Sequence, residues 1–309
     1  PLFITKGGDV VAKMYYEKKR GLKYAIIFLI PGLLLLTVFM IVPFFSAFYL
    51  SFTNTRLIAR VPARFIGLAN YEKMLRDDMF WKGLKNIFIF VAVVVPIQTA
   101  LALALALLVN QKLKLTRFFR TVYFLPTVTT MVVVSVIWTF LYNPEGLFNS
   151  FLSTFTFGAW EPIDFINNPN WAFPAIMLMS IWQGVGFQML IFLAGLQEIP
   201  VALYEAATID GANKWKQFWK ITLPQLKNTT VFVIISTTIL AFRLFTQVKV
   251  MTNGGPNGAT YTVVLHIFNQ GYQRQYIGYA SAITVVFFLI VLGISILQRS
   301  ILGEEREVG

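Results

Sequence analysis

The chain has 309 residues, 57% hydrophobic and 13% charged, with 26 Lys and Arg against 14 Asp and Glu for a formal charge of +12. So few charged groups cannot cover a water-soluble globule of this size, which excludes a soluble fold. The positive charge does not form a nucleic-acid face, because Lys and Arg gather in short segments between apolar runs; with no Cys and one His, disulfides, thiolate sites and a multi-histidine metal centre are excluded too.

Segments 24–55, 86–111, 121–144, 165–197 and 275–298 contain no Asp, Glu, Lys or Arg, and 228–248 contains Arg243 alone. Each supplies the roughly 20 residues a helix needs to cross the hydrocarbon core. The expected fold class is all-α: a polytopic membrane protein with six transmembrane helices in 24–298, an N-terminal segment 1–23 and a tail 299–309. The first crossing, within Tyr24 to Phe52, carries Pro31-Gly32 and Pro43, breaks that call for packed neighbours to satisfy the freed carbonyls. Its run is too long for a cleaved signal peptide and is expected to stay as an anchor. Segment Asn54 to Lys85 reads as a short amphipathic helix with Tyr71, Met74, Leu75 and Phe80 as its apolar contacts.

The second crossing, about Asn86 to Val109, contains Pro96 and the small residues Ala100, Ala102, Ala104 and Ala106, a seam for another helix. The third is expected from Tyr123 to Leu141. Phe148 to Phe157 reads as interfacial, and Trp171 to Leu196 forms the fourth crossing, with Trp182 and Gln183 inside it.

Cytoplasmic segment 198–227 then departs from the apolar pattern. Pro200 can open a helix on which Val201, Tyr204, Glu205 and Thr208 share one side, and Gly211 permits a sharp turn. Phe218, Trp219, Ile221 and Leu223 make a second apolar surface, which Pro224 is expected to end. Two readings fit these residues: a surface-lying hairpin, or a stiff docking element that passes a partner's motion to the membrane helices. The fifth crossing runs from Thr229 to about Val248 and the sixth from about Ile277 to Leu297.

Cations near short loops set the orientation. Lys18, Lys19, Arg20 and Lys23, then Lys112, Lys114, Arg117 and Arg120, then Lys214, Lys216, Lys220 and Lys227, then Arg299 and Arg306 all fall on one side. Segment 143–170 opposite them has no Lys or Arg. Segment 53–85 is basic and dissents, so it is expected to fold back on the surface. The positive-inside rule places both ends in the cytoplasm of a bacterial or archaeal plasma membrane.

Segment 198–227 resembles the signature of membrane subunits of ATP-binding-cassette importers, through Glu205, Ala206, Ala207, Asp210, Gly211, Ala212, Phe218, Ile221, Leu223 and Pro224. Asn228 stands where those proteins often carry a second Pro. Gly67-Leu-Ala-Asn-Tyr71, Leu125-Pro126, Gly195-Leu-Gln-Glu-Ile-Pro200 and Thr252-Asn-Gly-Gly-Pro256 extend the resemblance to the carbohydrate-importing, maltose-permease-like branch, although Phe245-Thr246 replaces the Phe-Asp pair often found before that turn. The resemblance implies a coupling helix seated in a cytoplasmic ATPase. It also implies a second related permease subunit, two ATP-binding-cassette ATPase subunits that use ATP and Mg, and an external solute-binding protein. No catalytic, metal or cofactor residue is expected in this chain, which lacks a Gly-Lys-Ser/Thr phosphate cradle.

A sugar needs donors and acceptors beside apolar or aromatic faces. Candidate contacts in a translocation path are Asn86, Gln98, Gln183, Gln188, Arg243 and Gln247, each with the alternative of a plain interhelical hydrogen bond. Arg243 has further readings: it snorkels outward or pairs with an external carboxylate, or it lines the path and meets an anionic solute such as a glycerol phosphate. An ion-coupled transporter is the rival class, disfavoured because the expected crossings hold no Asp or Glu.

Overall fold

The computed structural model describes residues 26, 28–58, 62–111 and 115–303. Lys18, Lys19, Arg20, Lys23, Lys112, Lys114 and Arg306, which entered the orientation argument, lie outside the described residues. The architecture is all-α and polytopic. Among the described residues, five helical runs are long and apolar enough to cross a membrane: Phe28–Leu50, Asp78–Asn110, Ala172–Glu198, Lys227–Met251 and Ile277–Leu302.

Helix α1 (Phe28–Leu50) stays helical through Pro31 and Pro43. Its accommodation is a wide π turn at Thr37–Ile41 just before Pro43, which relieves the clash between the proline ring and the preceding turn. The described parts of segment 53–85 pack against the end of α1. Thr53 bridges to Phe65, and the Asn70 amide donates to the carbonyls of Ser51 and Thr53 at 2.8 Å each. Helix α2 (Ala69–Leu75) buries Met74, and Phe80 is buried beyond it, while Leu75, expected as an apolar contact, is exposed because it faces away from the bundle.

Helix α3 (Asp78–Asn110) is longer than the expected second crossing, because Asp77 caps it by accepting from the amides of Met79 and Phe80. The third crossing needs correction: it consists of α4 (Thr116–Val128) and α5 (Met131–Leu141), bent by 100°. Only as a pair do they supply a sixth span. Helix α6 (Leu147–Phe155) lays Leu147, Phe151 and Phe155 outward and is tied down by buried Asn149, whose amide donates to Asn143 and Ile163 carbonyls.

Helix α7 (Ala172–Glu198) is the central post, packed most extensively on α3 and also on α4. At Gly186 a Cβ would strike the Tyr123 backbone of α4, so that close approach requires glycine. Of the small residues on α3, Ala102 and Ala106 are fully buried in a cluster with Val185, Met189, Phe192 and Leu196, whereas Ala100 and Ala104 face outward. After α8 (Val201–Ile209) and α9 (Lys214–Gln217), a π turn at Phe218–Thr222 and a short turn at Leu223–Gln225 lead into α10 (Lys227–Phe242). Pro224 thus sits in the first turn of a helix, where its missing amide costs nothing, instead of ending the segment sharply. The fifth crossing is discontinuous: α10 ends at Phe242, Arg243–Phe245 unwinds, and α11 (Thr246–Met251) resumes. Helices α12 (Val263–Phe268) and α13 (Ile277–Leu302) complete the chain.

A polar joint locks α3, α12 and α13 together at one end of the bundle. Asp77 Oδ2 accepts from Tyr279 OH at 2.7 Å and lies 3.1 Å from His266 Nε2, while His266 Nδ1 lies 3.0 Å from Tyr261 OH. A neutral imidazole protonated on Nε2 satisfies all three contacts. Burial opposes the charged form of Asp77, but the Tyr279 hydroxyl, the field of His266 and the two capping amides outweigh it and hold the carboxyl below its ordinary value. Burial pushes the His266 imidazole down, and the Asp77 charge only partly offsets this.

Both shifts make acid destabilising. The His266 contribution is complete above the unfolded value of about 6.5 and is lost as pH falls through the lower folded value; that of Asp77 is complete above about 3.9 and is lost below it in the same way. The thermal midpoint in detergent should fall as pH drops below about 6.5, and fall less in His266→Gln. Asp77→Ala, which removes the cap and the joint at once, should cost about 2 kcal/mol at neutral pH, read as a lowered midpoint.

Candidate functional site

The two interruptions in the crossings face one cavity of about 540 Å³. Its walls come from α3 (Phe90, Val94, Gln98), the α4–α5 bend (Phe124, Thr127, Met131), α7 (Ser180, Gln183, Gly184, Phe187, Gln188) and the α10–α11 break (Thr237, Leu240, Ala241, Arg243, Leu244, Thr246, Gln247). Five of the six path residues expected from sequence therefore meet at one place. Asn86 does not join them. Its amide donates to the carbonyls of Gly258 at 3.1 Å and Tyr261 at 2.9 Å, so it fastens the loop before α12 to α3.

The cavity's polar groups are partly spent on one another. Gln247 reaches Ser180 Oγ at 3.5 Å, and Ser180 donates to the Ile176 carbonyl at 2.7 Å. The Gln188 amide donates to Thr237 Oγ1, which itself donates to the Val233 carbonyl at 2.6 Å, and Gln188 Oε1 is buried without a donor among the described residues. Gln98 is buried over Gly184, where its side chain occupies the space a Cβ would need. Gln183 is half-buried, and Arg243, exposed at the C-terminal end of α10, is the one charged side chain on the walls among the described residues.

This arrangement offers amide and hydroxyl groups of both senses beside the rings of Phe90, Phe124 and Phe187. That combination suits a polyhydroxylated solute held weakly enough to leave. Ser180, Thr127, Thr237 and Thr246 were not singled out from sequence, since a hydroxyl in an apolar run usually bonds back to its own helix. No group of three or more His, Asp or Glu side chains among the described residues is placed to hold a metal.

The second candidate site is the 198–227 segment. Helix α8 ends in a double-bonded glycine turn: Ala212 N–H donates to Ala207 O at 2.8 Å and Gly211 N–H to Thr208 O at 3.1 Å, with Gly211 at φ +77°. Asn213 caps the next helix by accepting from Lys216 N–H at 2.9 Å. Buried Gln217 braces the two arms, donating to Thr208 Oγ1 at 2.9 Å and to Ala212 O at 3.2 Å, and Tyr204 OH pairs with Thr222 Oγ1 at 2.9 Å. The result is a stiff knob. Glu205, Ala206, Asp210 and Gly211 are exposed and Ala207 and Ala212 half-covered, and Ile209 and Trp215 stand out at 87% and 70% exposure. Sequence reading missed the brace at Gln217, a neutral polar residue set among the lysines and aromatic residues of 214–220.

Because the chain has no cysteine, single-cysteine variants report on exposure directly. Gln183→Cys and Gln247→Cys should react with a small hydrophilic maleimide at least about tenfold faster than Asn86→Cys, which faces a packed loop. Mass spectrometry of the labelled protein checks this.

Residues 98–302 match the family of binding-protein-dependent transport system inner membrane components. The chain is 36% identical over 286 residues to the trehalose/maltose transport system permease protein of Thermococcus litoralis, covering 92% of this chain and 95% of that protein. It is 35% identical over 267 residues to the sulfoquinovosyl glycerol transport system permease protein of Agrobacterium fabrum, covering 86% of each. Its fold matches a chain in the crystal structure of a bacterial ABC transporter involved in the import of the acidic polysaccharide alginate, with a TM-score of 0.81 at 22% identity over 96% of this chain and 100% of that one. Broken helices around a polar cavity, a braced knob and these matches agree: the chain is a multi-pass transport permease and belongs to the binding-protein-dependent transport system inner membrane components.

Proposed function

We propose that this chain is one transmembrane subunit of an ATP-driven, binding-protein-dependent importer for a sugar, oligosaccharide or polyol, of the maltose-permease-like branch. The observation that carries the reading is the cavity in which Gln98, Gln183, Gln188 and Gln247 meet hydroxyl and aromatic side chains. The trehalose/maltose permease likeness supports a carbohydrate cargo. With the bent α4–α5 pair as the third crossing, the chain spans a bacterial or archaeal plasma membrane six times with both ends inside.

In this reading the chain forms half of the path and a second, distinct permease the other half. An external solute-binding protein delivers cargo, and two cytoplasmic ATPase subunits use ATP and Mg below. The knob is the coupling element: Glu205 to Ala212 seat in an ATPase cleft, with Ile209 and Trp215 supplying apolar contact. Its internal bonds matter because a braced element transmits a push that a loose loop would absorb. The knob joins α7 to α10, and both line the cavity. Closure of the ATPases around ATP moves the knob and turns the cavity outward; hydrolysis reverses this.

Proteoliposomes holding the four-subunit complex and its solute-binding protein should accumulate sugar on ATP alone, without an ion gradient; uptake that needs a gradient contradicts the proposal. Glu205→Lys, on an exposed position, and Gly211→Pro, which cannot adopt φ +77°, should each lower uptake per ATP hydrolysed by about tenfold or more with membrane abundance preserved. Normal coupling in both variants removes the docking role.

A further inference from the structure

Building on the reading of the cavity as the solute path, we propose that the cargo is a saccharide or polyol bearing one anionic group, a carboxylate, sulfonate or phosphate, and that Arg243 selects it. Arg243 is flanked by Phe242 and Leu244, both almost wholly buried, at the point where α10 unwinds. Two buried neighbours pin the backbone and leave Arg243 on the cavity wall. Its guanidinium makes no hydrogen bond or ion pair with the described residues, and no Asp or Glu lines the cavity.

A cation inside an apolar span is costly to keep and is expected to have a partner or a task. The α10 C-terminus favours positive charge nearby, but that favour is small. A neutral sugar gives no reason to retain it: hydroxyls are served by amides, and Gln183 and Gln247 stand on the same walls. What an amide cannot supply is a pair of parallel, charged donors matched to the oxygens of a carboxylate, sulfonate or phosphate. The division of labour is then plain. The glutamines and hydroxyls accept the neutral body of the solute, and Arg243 takes its charge.

The test is equilibrium binding to the four-subunit complex in detergent without the external solute-binding protein, so that the receptor's own preference does not enter. Cellobiose and cellobiouronic acid serve as a matched neutral and anionic pair. Wild type should hold the uronate about tenfold tighter, the preference should fall to within about twofold in Arg243→Gln, and Arg243→Lys should keep part of it. Rising salt should narrow the wild-type preference, which decides the matter even if the glutamine variant does not assemble. Equal binding of the two probes by wild type, or a preference that survives Arg243→Gln or high salt, overturns the inference and leaves the sugar cavity standing. Binding of neither probe overturns both.

Discussion

Inside a membrane every backbone amide and carbonyl must find a partner, and unwound backbone survives only where protein or water supplies one. That constraint organises this chain. Among the described residues its spans are helical except at two places, the bend at Thr129–Thr130 and the unwound Arg243–Phe245, and residues beside both line the same cavity. The breaks lie where polar side chains gather: Thr127 near one, Arg243, Thr246 and Gln247 at the other. At the second break the amides of Arg243 and Leu244 bond back to the Leu240 and Ala241 carbonyls, and the Leu244 carbonyl accepts from Thr262 Oγ1 at 3.1 Å, so protein groups meet part of the cost of unwinding while the interruptions open the wall to a solute.

The same elements connect the cavity to the knob. Helix α7 carries Ser180, Gln183 and Gln188 on the cavity wall and runs on to Glu198, where the knob begins. Helix α10 leaves the knob at Lys227 and, about 24 Å further along at the usual helical rise, delivers Arg243. Close packing of α7 on α3 and α4, enforced at Gly186, makes the post rigid. In the proposed cycle the knob is therefore the short end of a lever whose long arms hold the solute, and the acid-sensitive joint of Asp77, His266, Tyr261 and Tyr279 fixes α3 to α12 and α13 at a separate place.

Much of this was legible in the residues, and the exceptions have physical causes. Charge-free runs locate the spans because lipid penalises charge regardless of neighbours. Gly211 marked the turn of the knob because its conformation depends on few other residues. Five of the six path residues converge, since an amide inside an apolar run has few places to go except a partner helix or a cavity. Asn86 took the first course, bonding a loop whose sequence lies more than 170 residues away, which spacing cannot reveal. The α4–α5 bend and the unwound Arg243–Phe245 escaped for a related reason: no Gly or Pro stands at either break, so tertiary context decides them. The Asp77 and His266 joint was equally invisible, because it unites residues from opposite ends of the chain.

The account stands most directly on the claim that both breaks face water. Hydrogen exchange of the assembled complex in lipid, followed by mass spectrometry of peptides covering 129–131 and 243–247, measures this. Exchange much faster there than in the unbroken helix at 185–193 of α7, and slowed when the transported solute is present, is the predicted result. Protection at both breaks as strong as in α7, with or without solute, would contradict it.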